Sequence, residues 1–163
     1  MWALRRAENT HGRVTRAKIV VGIDGSSGSI AALKEAARMA EATGSWLDVV
    51  ACWNVPTSMA VPYALGTVEF EKGARQLLQD TVTNTFGMQL PENMSTTLVQ
   101  GQPRQKLIEM SDGSDMLVVG RRGYGGFTGL LLGSVSQACV AHAHCPVLVV
   151  NAGKEFDGSG HDH

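Results

Sequence analysis

"SDMLVVGRRGYGGFTGLLLGS", residues Ser114–Ser134, runs from a short apolar segment through a glycine-rich stretch to a serine that opens a segment of helical spacing. Met116–Val119 is a continuous apolar run, the pattern of a strand buried on both faces of a parallel sheet. From Gly120 to Ser134, six of the fifteen residues are glycine. That much backbone freedom between a strand and a helix allows main-chain N–H groups to close around an anion at the helix entrance. Strand, glycine loop and helix in that order make half of a repeating βα pattern.

The pattern recurs along the chain. "KIVVGI" (Lys18–Ile23), "WLDVVACW" (Trp46–Trp53), "DMLVVG" (Asp115–Gly120) and "CPVLVV" (Cys145–Val150) are strand-like runs, and "TTLVQ" (Thr96–Gln100) is a weaker fifth. Helical spacing fills the intervals. Ile30, Leu33, Ala37 and Met39/Ala40 form an apolar stripe that Gly44 stops. Phe70, Ala74, Leu77/Leu78 and Val82 form a second, and Pro103 opens a third that buries Leu107, Ile108 and Met110. Val135, Ala138/Cys139 and His142 form the last. The two-proline segment Asn54–Gly66 reads as an exposed crossover loop. The sum is an α/β domain with a mainly parallel sheet.

The chain has 163 residues, 44% of them apolar and 18% charged, enough to bury one proper core. Residues 17–151 read as that single domain, between a disordered arm at 1–16 and a flexible tail at 152–163. Fourteen basic against fifteen acidic residues give a formal charge of −1, which argues against a nucleic-acid or membrane-surface partner. No apolar run approaches the ~20 residues of a bilayer span. The first residues lack the apolar core of a signal peptide, and the three cysteines are odd in number and form no CxxC. A reducing, cytoplasmic setting is the expectation.

In an open parallel sheet, ligands gather beyond the C-terminal strand ends where the strand order reverses. Two strands here end in glycine-rich turns, "GIDGSSGS" (Gly22–Ser29) and the stretch quoted first. Familiar nucleotide signatures fail. Gly22, Gly25 and Gly28 are spaced G-x-x-G-x-x-G rather than G-x-G-x-x-G, and Asn54 stands where a ribose-binding acid would follow the second strand. The one Gly-Lys pair, Gly153-Lys154, is followed by Glu155, so there is no P-loop.

The spacing Gly120-x-x-Gly123, nine residues, then Gly133-Ser134 resembles the ATP-binding class of the universal stress protein family. "IVVGIDGS", "SDMLVVGRRG" and "CPVLVV" resemble that family's first, fourth and last strands, in order, over residues 17–151. The resemblance implies an adenine nucleotide alpha hydrolase-like fold: an open five-stranded parallel sheet, order 3-2-1-4-5, with helices on both faces. It implies that Gly22, Ile23 and Asp24 line the adenosine end, Asp24 near the ribose or a metal. Cys52 would meet adenine where the family often has valine. Gly120, Arg121, Arg122, Gly123, Tyr124, Gly125 and Gly126 would wrap the ribose and phosphates. Gly133, Ser134, Val135 and Ser136 would hold the terminal phosphates. The implied ligand is ATP with Mg2+, and the implied partner a second copy paired through Cys145–Val150.

Plainer roles stand beside these. Asp24 and its neighbouring serines serve equally as caps for a turn or helix, and arginines in a glycine loop are commonly solvated. His142, His144 and Cys145 are metal-ligand types, but they crowd one helix-to-strand junction and are read as no metal site. Neither glycine loop holds a lysine, and the chain shows no paired carboxylates and no Ser/His/Asp arrangement. Three functions follow: a nucleotide-gated regulatory module, a weak ATPase or autophosphorylating protein acting on Ser134 or Ser136, and a dimeric scaffold that binds no nucleotide.

Overall fold

In the computed structural model, which describes residues 16–56, 63–122 and 131–153, strands and helices alternate as the sequence pattern requires. They are β1 (Lys18–Ile23), α1 (Ser27–Thr43), β2 (Trp46–Trp53), α2 (Tyr63–Phe86), β3 (Met94–Gln100), α3 (Pro103–Ser111), β4 (Met116–Gly120), α4 (Ser134–His142) and β5 (Val147–Val150). The expected arm up to residue 15, the tail from residue 154, and Gly123, Tyr124, Gly125 and Gly126 of the expected site lie outside the described residues.

All neighbouring strands pair in parallel, in the order β3-β2-β1-β4-β5. The register sets Gly22 beside Val50, Val21 beside Val118 and Gly120 beside Val150. Side chains alternate across the sheet as a period of two demands. Ile19, Val21, Ile23, Leu47, Val49, Ala51 and Val118 pack under α1 and α2. Val20, Val50, Leu117 and Val119 pack with Leu107 of α3 and Cys139 of α4 on the other side. Leu33, Leu47 and Leu117 are fully enclosed, and burial of each stabilises the fold by about 1.5–3 kcal/mol relative to exposure.

The structure rotates two expected stripes. In α1 the buried residues are Ala32, Leu33, Ala36 and Ala40, whereas Ala37 and Met39 are half-buried and pack at the margin. Ile30 is also half-buried. Alanines on the inner face let the helix approach the sheet closely, so the larger side chains move to its flanks. In α4 the inward residues are Ser136 and Cys139, and His142 is exposed rather than part of the buried stripe. Element boundaries also move. Residues 63–66, expected in the crossover loop, belong to α2, β3 begins at Met94 rather than Thr96, β4 at Met116 rather than Asp115, and β5 at Val147 rather than Cys145.

A polar cluster holds the sheet near the N-terminal ends of its strands. Asp48 on β2 is buried, accepts hydrogen bonds from Thr97 Oγ1 at 2.6 Å and Ser95 Oγ at 3.2 Å, and pairs with Lys18 Nζ at 3.5 Å. Trp46 Nε1 donates to the same Ser95 hydroxyl at 2.8 Å. The cluster ties β1, β2 and β3 together at the rim opposite the glycine turns.

Candidate functional site: a cleft where two glycine turns meet

β1 has β2 on one side and β4 on the other, so the direction of chain winding reverses there and a crevice is expected beyond the C-terminal ends of β1 and β4. The turn leaving β1 is held by its own side chains. Gly25 takes a φ of 82°, a conformation that disfavours any residue with a Cβ. Asp24 Oδ1 accepts from the Ser26 N–H at 2.9 Å and from the Ser26 hydroxyl. Ser26 is the N-cap of α1 and accepts from the Ser29 N–H at 3.2 Å, while the Ser29 hydroxyl donates to the Ser26 carbonyl at 3.0 Å. These bonds fix the first turn of α1 and aim its amide end at the rim, where the helix dipole favours negative charge.

The exit of β4 is tied as firmly. The Arg121 N–H donates to the Val150 carbonyl at 2.8 Å, and the Arg121 carbonyl accepts from the Gly133 N–H at 2.8 Å. Its Nε reaches the Leu131 carbonyl at 2.7 Å. The Ser136 hydroxyl donates to the Gly120 carbonyl, and Gln137 Nε2 donates to the Leu132 carbonyl at 2.8 Å. The start of α4 is thereby pinned to the end of β4.

The two turns meet back to back. A Cβ on Gly120 would lie 2.6 Å from the carbonyl carbon and oxygen of Gly28, and a Cβ on Gly28 would lie 2.4 Å from the Arg122 carbonyl oxygen. Above this contact opens a cleft of about 350 Å³, lined by Ser26, Ser27 and Gly28 at the start of α1, Arg121 and Arg122 just after β4, and Asn151 and Ala152 after β5. Two arginine residues and a helix N-terminus at one cleft favour an anion.

The family profile of the universal stress proteins matches residues 15–151. The chain belongs to the universal stress protein family. A universal stress protein of Mycobacterium tuberculosis is 33% identical over 139 residues, covering 82% of this chain and 47% of the relative. The chain thus spans about half the length of the mycobacterial relatives it matches. A Methanocaldococcus jannaschii universal stress protein is 29% identical, with 93% of this chain and 89% of the relative covered. Among solved structures, a universal stress protein in complex with cAMP superposes with a TM-score of 0.63 at 26% identity, over 85% of this chain and 99% of the other. An Archaeoglobus fulgidus universal stress protein in complex with dAMP gives a TM-score of 0.51 at 16% identity, over 84% and 98%, and supports the fold alone.

Within this universal stress protein fold, the expected site residues separate into groups. Arg121 and Arg122 line the cleft, and Asp24 is exposed on the turn beside it. Gly133 caps α4, and Ser134 is exposed at that helix's first position. Ser136 is buried with its hydroxyl committed to Gly120, and Val135 packs at the edge of the α3–α4 layer. The Ile23 side chain is in the α1-side core, and a Cβ on Gly22 would lie 2.7 Å from Leu107 Cδ1. Cys52 packs in the same layer as Leu107. The sequence reading missed Ser26, Ser27, Gly28, Asn151 and Ala152. The signal for Asn151 was available, because the residue after the last parallel strand must emerge at this rim.

Among the described residues there is no group of three or more His, Cys, Asp or Glu placed to hold a metal ion, and no helix long and apolar enough to cross a membrane. Burial pushes the Cys52 and Cys139 thiols up to about 11, despite an opposing pull from Lys106 at Cys52. Both are therefore neutral at physiological pH and act as small apolar groups. Their folded values lie above the unfolded one, so the native state holds protons that the unfolded chain releases. The stability they contribute is present below about pH 9 and is lost as pH rises toward about 11. Urea unfolding followed from pH 8 to 11 is expected to show this decline, with a shallower slope in Cys52→Ala/Cys139→Ala. Equal slopes would contradict it.

Proposed function

We propose that the cleft binds ATP with Mg2+ and that the domain is a nucleotide-gated regulatory module of the stress response. The observation that carries this reading is the meeting of the two glycine turns. Bare backbone at Gly28 and Gly120 brings a helix N-terminus and two arginines to one opening of about 350 Å³, a chemistry suited to phosphate. Glycines at 120, 123 and 133 in the family's ATP-binding spacing support it, as does the cAMP complex of a relative at 26% identity. Asp24 is the carboxylate at the end of β1 that would face a phosphate-bound Mg2+. A metal there would neutralise phosphate charge. The Ser26 hydroxyl donates to the Asp24 carboxylate at the cleft, but it also caps α1, and the reading is of binding rather than turnover.

Ligand-dependent ordering of the residues around the phosphates would alter the surface seen by a partner, to the extent that the ligand prefers one state. A cytoplasmic homodimer belongs to the same proposal. β5 is an edge strand, and its four residues are each only half-buried, leaving an apolar edge that pairing with a second copy would cover.

The test is direct. Denaturing freshly purified protein and chromatographing the supernatant is expected to release adenine nucleotide. Calorimetry with Mg-ATP is expected to show binding that Gly123→Val weakens at least tenfold, or about 1.4 kcal/mol. ADP release is expected to match a protein-free blank. Absence of nucleotide in both experiments would favour the scaffold instead, and equal binding by the variant would overturn the loop's role.

A further inference from the structure

We propose that Gly28 is a positioning residue that sets the phosphate end of the cleft, so that its side-chain-free surface decides how well the site holds a triphosphate. This inference rests on the nucleotide reading above but adds a residue outside the glycine-spacing motif. Gly28 is the second residue of α1 and is buried. The atom a Cβ would strike, at 2.4 Å, is the Arg122 main-chain oxygen, and Arg122 lines the cleft. Gly120 in turn presses on the Gly28 carbonyl. The contact is therefore reciprocal and made of backbone on both sides.

Other close glycines differ in kind. At Gly22 and Gly101 the added atom would meet the Leu107 side chain at 2.7 Å and the Lys106 side chain at 2.6 Å, side-chain rather than main-chain atoms. The Arg122 carbonyl is main chain, so no side-chain rotation clears it, and it lies one residue past Arg121, whose N–H and carbonyl are held by Val150 and Gly133. A methyl group at position 28 must therefore push the first turn of α1 and the Arg121–Arg122 segment apart. The two sources of positive charge would separate, while Cys52, expected at the adenosine end, lies in the α3-side layer on the other face of the sheet from α1.

The experiment compares wild type and Gly28→Ala by calorimetry with inorganic tripolyphosphate, Mg-ATP and adenosine as separate probes. The expected result is at least a tenfold loss for tripolyphosphate and Mg-ATP, with adenosine unchanged within twofold. A merely structural role would weaken all three together. Gly28→Ala binding tripolyphosphate as wild type does would overturn the proposal and leave the nucleotide reading standing. Wild type binding tripolyphosphate but ATP no more tightly would overturn the nucleotide reading and leave the role of Gly28 standing. If the variant does not fold, amide chemical shifts of wild type titrated with tripolyphosphate decide. Shifts at Gly28 and Arg122 support the proposal, and their absence from both overturns it.

Discussion

Gly120→Val is expected to abolish Mg-ATP binding and to lower stability by about 3 kcal/mol or more, at the upper end of overpacking costs. The first atom of the new side chain would sit 2.6 Å from the Gly28 carbonyl group and 3.0 Å from the Ser29 nitrogen. Neither can rotate aside, because both belong to the first turn of α1, and Ser29 is further tied to Ser26. β4 would have to move as a unit, carrying Arg121, its bond to Val150 and the cap of α4 with it. Urea unfolding and calorimetry on the same preparation would measure both losses. Gly73→Ala is the contrasting control: nothing lies within 4 Å of its added methyl, and it is expected to gain about 0.5–1 kcal/mol from helix propensity. A Gly120→Val protein as stable as wild type would mean that the two turns are not in contact.

Asp48→Ala is expected to cost about 2 kcal/mol, because it removes the buried acceptor of two partly buried hydroxyls. Thr97 and Ser95 both donate to Asp48 Oδ1, and Trp46 depends on Ser95 in turn. The pairing with Lys18 adds less, since that lysine is 39% exposed and its charge is screened by solvent. Asp48→Asn keeps an acceptor oxygen and is expected to lose about half as much. Because the cluster occupies the rim away from the cleft, Mg-ATP affinity is expected to be unchanged wherever the variant remains folded. Parallel unfolding curves and calorimetry would check both statements.

What the amino acids announced, and what they withheld, divides along physical lines. β1 and β2 were legible to the residue, because long β-branched runs with polar or glycine ends have no competing reading. The start of α2 was missed because Gly66 and the nearby prolines suggest a loop, although Pro62 just before Tyr63 is also a helix-entry signal. The stripe of α1 was misplaced because hydropathy weights Ile30 and Met39 above alanine, whereas close helix-to-sheet packing favours Ala32 and Ala36. Helical spacing alone also set His142 in the buried stripe of α4, where the structure leaves it exposed; Ser136, named only through the family resemblance, has its hydroxyl on the Gly120 carbonyl.

The candidate site was legible as two loops but not as a surface. Gly28 appeared only as the last member of a failed dinucleotide pattern. Its contact with Arg122 joins residues nearly a hundred positions apart, and nothing in local composition encodes that distance. Cys52 was expected beside adenine, and the structure packs it in the α3-side layer.

The parallel sheet also fixes where anything attached to this domain must go. Every strand starts at the same rim, so Lys18 and Val150 mark opposite ends of the sheet. A fluorophore or tag placed directly at the start of β1 would stand at the rim opposite the opening. One joined behind Ala152 departs from the opening's own wall, and would sense, or obstruct, whatever enters there.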